Sequence, residues 1–119
     1  MRTFIVTLLI FALLIAAITF HFHYINNICD QLENKIDVLT LQDSEEEINA
    51  LWKLWQQEKS YISLSVCSSA TEEFEDRLLE VIAMHKIGDQ SAFYRARTLA
   101  VGALSSIRRL ERFNLDNLL

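Results

Sequence analysis

The sequence predicts an all-α protein: an N-terminal transmembrane helix that continues into an antiparallel up-down bundle of about four helices. Three observations carry this. The 119 residues contain no proline and two glycines, so the residues that build turns, hairpins and edge strands are nearly absent, and all-β and glycine-rich phosphate-loop folds are disfavoured. Apolarity and charge are separated along the chain: residues 1–24 hold 18 of the 61 hydrophobic residues and one charged side chain, Arg2. The rest has the balance of one small soluble domain, and its apolar positions recur at helical steps of three and four. Two units follow, an anchor over 1–24 and a helical domain over 25–119.

From Thr3 to Phe22 the chain reads TFIVTLLIFALLIAAITFHF, in which only Thr3, Thr7, Thr19 and His21 are polar. Twenty residues at about 1.5 Å each cover the roughly 30 Å hydrocarbon core of a bilayer. A cleaved secretion signal is the competing reading, with a shorter apolar region and a small-x-small site. Ala16-Ala17 is the only small pair, and the bulky Ile18, Phe20 and Phe22 continue the run, so an uncleaved signal anchor is favoured; a buried soluble helix is the third choice. Arg2 and the α-amino group precede the span, whereas Lys35 is the first cation after it, behind Asp30 and Glu33. The positive-inside rule then places the N-terminus in the cytoplasm and the C-terminal domain outside, in a single-pass cell-membrane arrangement.

The second element runs from Ile25 to Thr40, with Ile25, Ile28, Leu32, Ile36 and Leu39 on one stripe and a break at Leu41-Gln42-Asp43. Ser44 followed by Glu47 is a capping box, and the acidic first turn Glu45-Glu46-Glu47 suits the helix dipole. The helix it opens presents Ile48, Leu51, Trp52, Trp55 and Ile62, and its end is indistinct because residues 60–70 alternate like a strand and end in serines. The next helix starts near Ser69 or Thr71, with Ser69 and Glu72 in capping-box spacing, and buries Phe74, Leu78, Val81, Ile82 and either His85 or Ile87. Gly88 closes it in the left-handed position and Asp89 caps the last helix. That helix repeats Phe93, Ala96, Ala100, Ala103, Ile107 and Leu110 at steps of three and four.

Short connections between amphipathic helices favour antiparallel neighbours. By length, the second bundle helix returns to bilayer level near Ser60 to Ser63 and the last near Ile107. Residues 25–89 sum to −9 and residues 90–119 to +3. Arg108, Arg109 and Arg112 thus form a basic cluster at headgroup height, as candidate lipid-headgroup contacts; the favoured role is to neutralise acidic neighbours in the bundle. Nucleic acid is not an expected partner of an acidic extracytoplasmic chain.

Residues that can carry chemistry are few. His21 and His23 sit two apart, about 200° around a helix, which does not suit chelation of one metal. His85 lacks the Glu-x-x-His context of di-iron bundles. Glu45, Glu46 and Glu47, like Glu72, Glu73, Glu75 and Asp76, read as acidic helix starts. Trp52 and Trp55 read as core. Cys29 and Cys67 are the only thiols, and their offset in the bundle, roughly 18 Å along the axis, predicts no intrachain disulfide. Ser63, Ser65, Ser68 and Ser69 have no G-x-S-x-G setting. No cofactor, metal or enzymatic activity is expected.

A family likeness rests on particular residues: the N-terminal span, the Trp-x-x-Trp pair Trp52 and Trp55, the segment Ser63 to Val66, an acidic helix, the Gly88-Asp89 turn and the tail Phe-Asn-Leu-Asp-Asn-Leu-Leu. With these the chain resembles domain-of-unknown-function family 4363, over nearly its whole length. The resemblance implies a small membrane protein of a spore-forming Gram-positive bacterium and supplies no activity or catalytic residues. Where members often carry an Asp/Asn-His pair before the third helix, this chain has Cys67-Ser68-Ser69.

Two functions fit the residues. One is a non-catalytic accessory subunit that binds another membrane protein through the bundle or the span, where Ala12-x-x-x-Ala16 allows close packing; a homo-oligomer is also open. The other is an extracytoplasmic ligand-sensing bundle, which must act through a partner because only Met1 to Thr3 lie on the cytoplasmic side.

Overall fold

The computed structural model describes the backbone of residues 1–64, 66 and 68–118, and the side chains of all of these except 68 and 114–118. Four helices follow one another: α1 (Arg2–Asp37), α2 (Glu45–Ile62), α3 (Ser68–Ile87) and α4 (Gln90–Leu118). Among the described residues there is no strand. Each helix packs on its neighbours in sequence and α4 closes back onto α1, which makes a four-membered ring. The antiparallel order shows in the cross-helix pairs: Tyr24 of α1 meets Glu58 and Tyr61 near the end of α2, Lys59 of α2 meets Glu75 near the start of α3, and Arg97 of α4 reaches back to carbonyls at and just past the end of α1. The closest packing is that of α4 on α3 and α1, where Ala96, Ala100 and Ala103 are buried and let neighbouring backbones approach.

The 36 residues of α1 make one unbroken helix of about 54 Å. Its two halves live in different surroundings. Residues 1–17 are all exposed, Ile18 is half-buried, and from Ile25 onward Ile25, Ile28, Cys29, Leu32 and Ile36 face the core. α1 is long and apolar enough to cross a membrane, and none of its most apolar 18-residue stretch is buried. The protruding half makes the molecule a rod, 68 × 24 × 19 Å.

The core forms where the amphipathic faces meet. Trp55, Phe74 and Phe93 are its largest fully buried side chains, with Leu32, Ile36, Leu51, Leu78 and Ile107 around them. Trp55 and Phe74 pack edge to face with centroids 4.6 Å apart, a favoured aromatic geometry. Trp52 is only partly buried, because three residues from Trp55 it lies on the shoulder of the α2 stripe.

Several boundaries differ from the sequence reading. α1 ends at Asp37, before the break expected at Leu41. Leu39 N–H bonds the Ile36 carbonyl three residues back, and Arg97 Nη1 donates to the carbonyls of Asp37 and Leu39 at 3.0 and 2.9 Å. A long-range arginine thus satisfies the carbonyls that would otherwise continue the helix, and Leu39 stays buried just outside it. α3 begins at Ser68, so Ser69 lies inside the first turn and not at the cap. Ile87 is 71% exposed, and His85 takes the inward position instead. In α4 the strict heptad fails at its end: Leu110 is 36% exposed, while Leu104 and Glu111 are buried. A straight helix of 3.6 residues per turn drifts against a 3.5 repeat, and about three and five turns after Phe93 the drift brings 104 and 111 to the core side.

Candidate functional site at the base of the bundle

The polar groups concentrate at the level where α1 leaves the bundle. One turn of α1 supplies His21 and Tyr24, the end of α2 supplies Glu58 and Tyr61, and α4 supplies Glu111. The ring of Tyr61 packs against His21 at a tilt, with centroids 4.7 Å apart, and edge-on against Tyr24 at 4.6 Å. Tyr24 Oη donates to Glu58 Oε2 at 2.9 Å, and His21 Nε2 lies 3.7 Å from Glu111 Oε1. Glu111 is 4% exposed, a burial that a carboxylate tolerates only with polar partners. This tier closes the core below Ile25 and turns a polar ring toward the apolar half of α1.

One turn higher, Arg108 of α4 bridges two carboxylates of α1, with Asp30 and with Glu33, the latter at 2.9 Å. Beside it Cys29 is fully buried and free. Burial pushes the thiol up to about 11, only partly offset by the Arg108 guanidinium, so at neutral pH Cys29 is a protonated, enclosed thiol with little nucleophilic character. Cys67, and with it the expectation about a disulfide, lies outside the described residues.

The three arginines singled out from the sequence therefore do different things. Arg108 neutralises Asp30 and Glu33 within the bundle. Arg109 and Arg112 are exposed, and Arg109 Nη2 donates to Ser106 Oγ of its own helix at 3.1 Å. Arg108 takes the neutralising role that the sequence offered for the cluster, but which acids it meets was not legible, since Asp30 and Glu33 lie nearly eighty residues away, and Glu111 was not singled out.

A second polar cluster joins α2 and α3. Glu75 Oε1 accepts from Trp55 Nε1 at 3.0 Å, Gln56 Nε2 at 3.2 Å and Lys59 Nζ at 3.0 Å. The Lys59 hydrogen bond, opposed by partial burial and joined by the Trp55 bond, holds the Glu75 carboxyl below its ordinary range. Next to it opens a cleft of about 440 Å³ lined by Trp55, Lys59, Ser60, Ser63, Thr71 and Glu75, among others. A further groove of about 460 Å³ lies between α3 and α4, with Arg77, Glu80, Asp89 and Arg95 on its rim.

At the far end, His85 Nε2 lies 2.8 Å from the Asp43 carbonyl. A carbonyl only accepts, so this bond requires the proton on Nε2; His85 latches the first connection onto α3. Glu45, Glu46 and Glu47 form the exposed first turn of α2. Among the described residues no three His, Cys, Asp or Glu side chains converge as a metal site would require. Compared with known protein families, curated proteins and solved structures, the chain matches none of them.

Proposed function

We propose that this is a single-pass membrane protein in which residues 3–22 of α1 anchor the bundle, with the N-terminus in the cytoplasm and the bundle outside, and that the bundle is a non-catalytic accessory subunit of a membrane complex. The observation that carries the reading is the state of α1: its apolar half is exposed over residues 1–17, yet it continues without a break into the half that packs into the core. A soluble chain would leave this apolar surface in water, at about 25 cal/mol per Å². The polar tier of His21, Tyr24, Glu58, Tyr61 and Glu111 lies at the height of a headgroup layer, and Ala12 and Ala16 offer the span a close-packing face. The resemblance to domain-of-unknown-function family 4363 points the same way.

The full chain is expected to stay with membranes through alkaline carbonate extraction, a reporter after Leu119 to be active only outside the cytoplasm, and mild-detergent purification with crosslinking to recover a stoichiometric membrane-protein partner. Release by carbonate would overturn the anchor, and purification as a bare monomer would overturn the subunit role. The cleft beside Glu75 favours one second reading, a ligand-sensing bundle acting through a partner. Under it, a small-molecule screen should raise the Tm of the full chain, and substitution of Lys59 should abolish the rise.

A further inference from the structure

Glu111 marks the level at which α1 becomes uncovered, because it faces His21. α4 runs antiparallel to α1 and continues seven residues beyond Glu111, to Leu118, about 10 Å farther toward the apolar half of α1. At this level Arg109, Arg112 and Phe113 stand at i, i+3 and i+4, so they share one face. That face is turned from the core: both arginines are exposed and Phe113 is 61% exposed. Arg108 is neutralised by Asp30 and Glu33, whereas neither Arg109 nor Arg112 pairs with a carboxylate among the described residues. The rest of the bundle, residues 25–89, carries −9.

We propose that this face of α4 is a second membrane contact, which takes the headgroups of anionic phospholipid. The inference rests on the anchored reading above. Its occupant follows from chemistry and place. Guanidinium forks match phosphate oxygens in pairs, and their apolar stems reach along an interface while the charge stays in the headgroup layer. Phe113 fits the boundary between that layer and the acyl chains. Residues 25–89, at −9, are repelled from an anionic surface, whereas Arg109 and Arg112, with no carboxylate partner among the described residues, stand beside the span, so the contact also holds the rod upright against the bilayer.

The test uses the full chain reconstituted in phosphatidylcholine bilayers with trace spin-labelled phosphatidylglycerol or phosphatidylcholine. Electron paramagnetic resonance then reads the fraction of each lipid immobilised by the protein. The wild type is expected to prefer phosphatidylglycerol about fivefold or more at low salt, with the preference shrinking as salt screens it. Arg109→Gln with Arg112→Gln should bring the ratio near one, and Arg109→Lys with Arg112→Lys should keep most of it. No preference in the wild type, or an unchanged preference in the glutamine variant, would overturn the lipid contact; in the second case the exposed arginines serve an acidic protein partner instead. Carbonate extraction of the same samples separates the two levels. A chain that washes off loses the anchor and this contact together, while one that stays but shows no selectivity loses only the contact.

Discussion

Glu75 gathers three donors on one oxygen, and two of them, Trp55 and Lys59, come from positions a turn apart on α2. The arrangement ties the deepest aromatic of the core to a charge at its edge, so Trp55 is buried without an orphaned N–H. Because the folded carboxyl lies below its ordinary value, the folded state binds fewer protons than the unfolded one across the acid range. The stability it contributes is present above the ordinary carboxylate pKa and is lost as pH falls through the folded value. Glu75→Gln is therefore expected to cost about 1–2 kcal/mol at neutral pH, and urea titrations followed by circular dichroism should show the gap to wild type closing as the pH is lowered. A gap that stayed constant would contradict the charged role. The sequence placed Glu75 among acidic helix-start residues; its real partners lie on another helix and no local pattern contains them.

At the scale of elements, the caps behaved as local chemistry dictates. Ser44 Oγ accepts from Glu47 N–H and Asp89 Oδ1 from Ala92 N–H at 3.1 Å, both satisfying orphan donors of a first turn. Gly88 has φ +84° and open space around the site of a Cβ, and Gly102 has equally open space within a helix. The two glycines should thus respond with opposite signs. Gly88→Ala is expected to lower stability by about 1 kcal/mol through left-handed strain alone. Gly102→Ala should raise it by about 0.5–1 kcal/mol, since alanine costs less conformational entropy in a helix. Paired thermal denaturation curves decide this, and shifts of the same sign would refute it. The C-terminus of α1 was not locally legible, because Arg97, some sixty residues on, supplies the donors that end it.

The molecule as a whole is a rod with a wet half and an apolar half sharing one helix. Cys29, fully buried between α1 and the helices around it, reports on the opening of the wet half. In a Cys67→Ser background, alkylation of Cys29 at mildly alkaline pH should run at the rate of bundle unfolding and accelerate to that of a free thiol in denaturant. Since its folded pKa is about 11 against an ordinary 9.0, the unfolded chain releases its proton first as pH rises through that window, and stability should fall there. Labelling of the native chain at the free-thiol rate would show that the bundle does not enclose Cys29.

Composition and periodicity by themselves determined the all-α class, the apolar half of α1, the four-helix count and the caps at Ser44 and Asp89, because each depends on residues within a turn or two of one another. The tertiary structure alone decided where α1 ends, that Glu111 is inside and Ile87 outside, and that of three clustered arginines Arg108 is taken up by Asp30 and Glu33 while Arg109 and Arg112 meet no carboxylate among the described residues. Those outcomes depend on which helix lies across the ring and at what height. Side chains distant in sequence set the electrostatics there, and helical drift of about 20° per heptad is enough to shift the buried stripe of α4 by one position before its end.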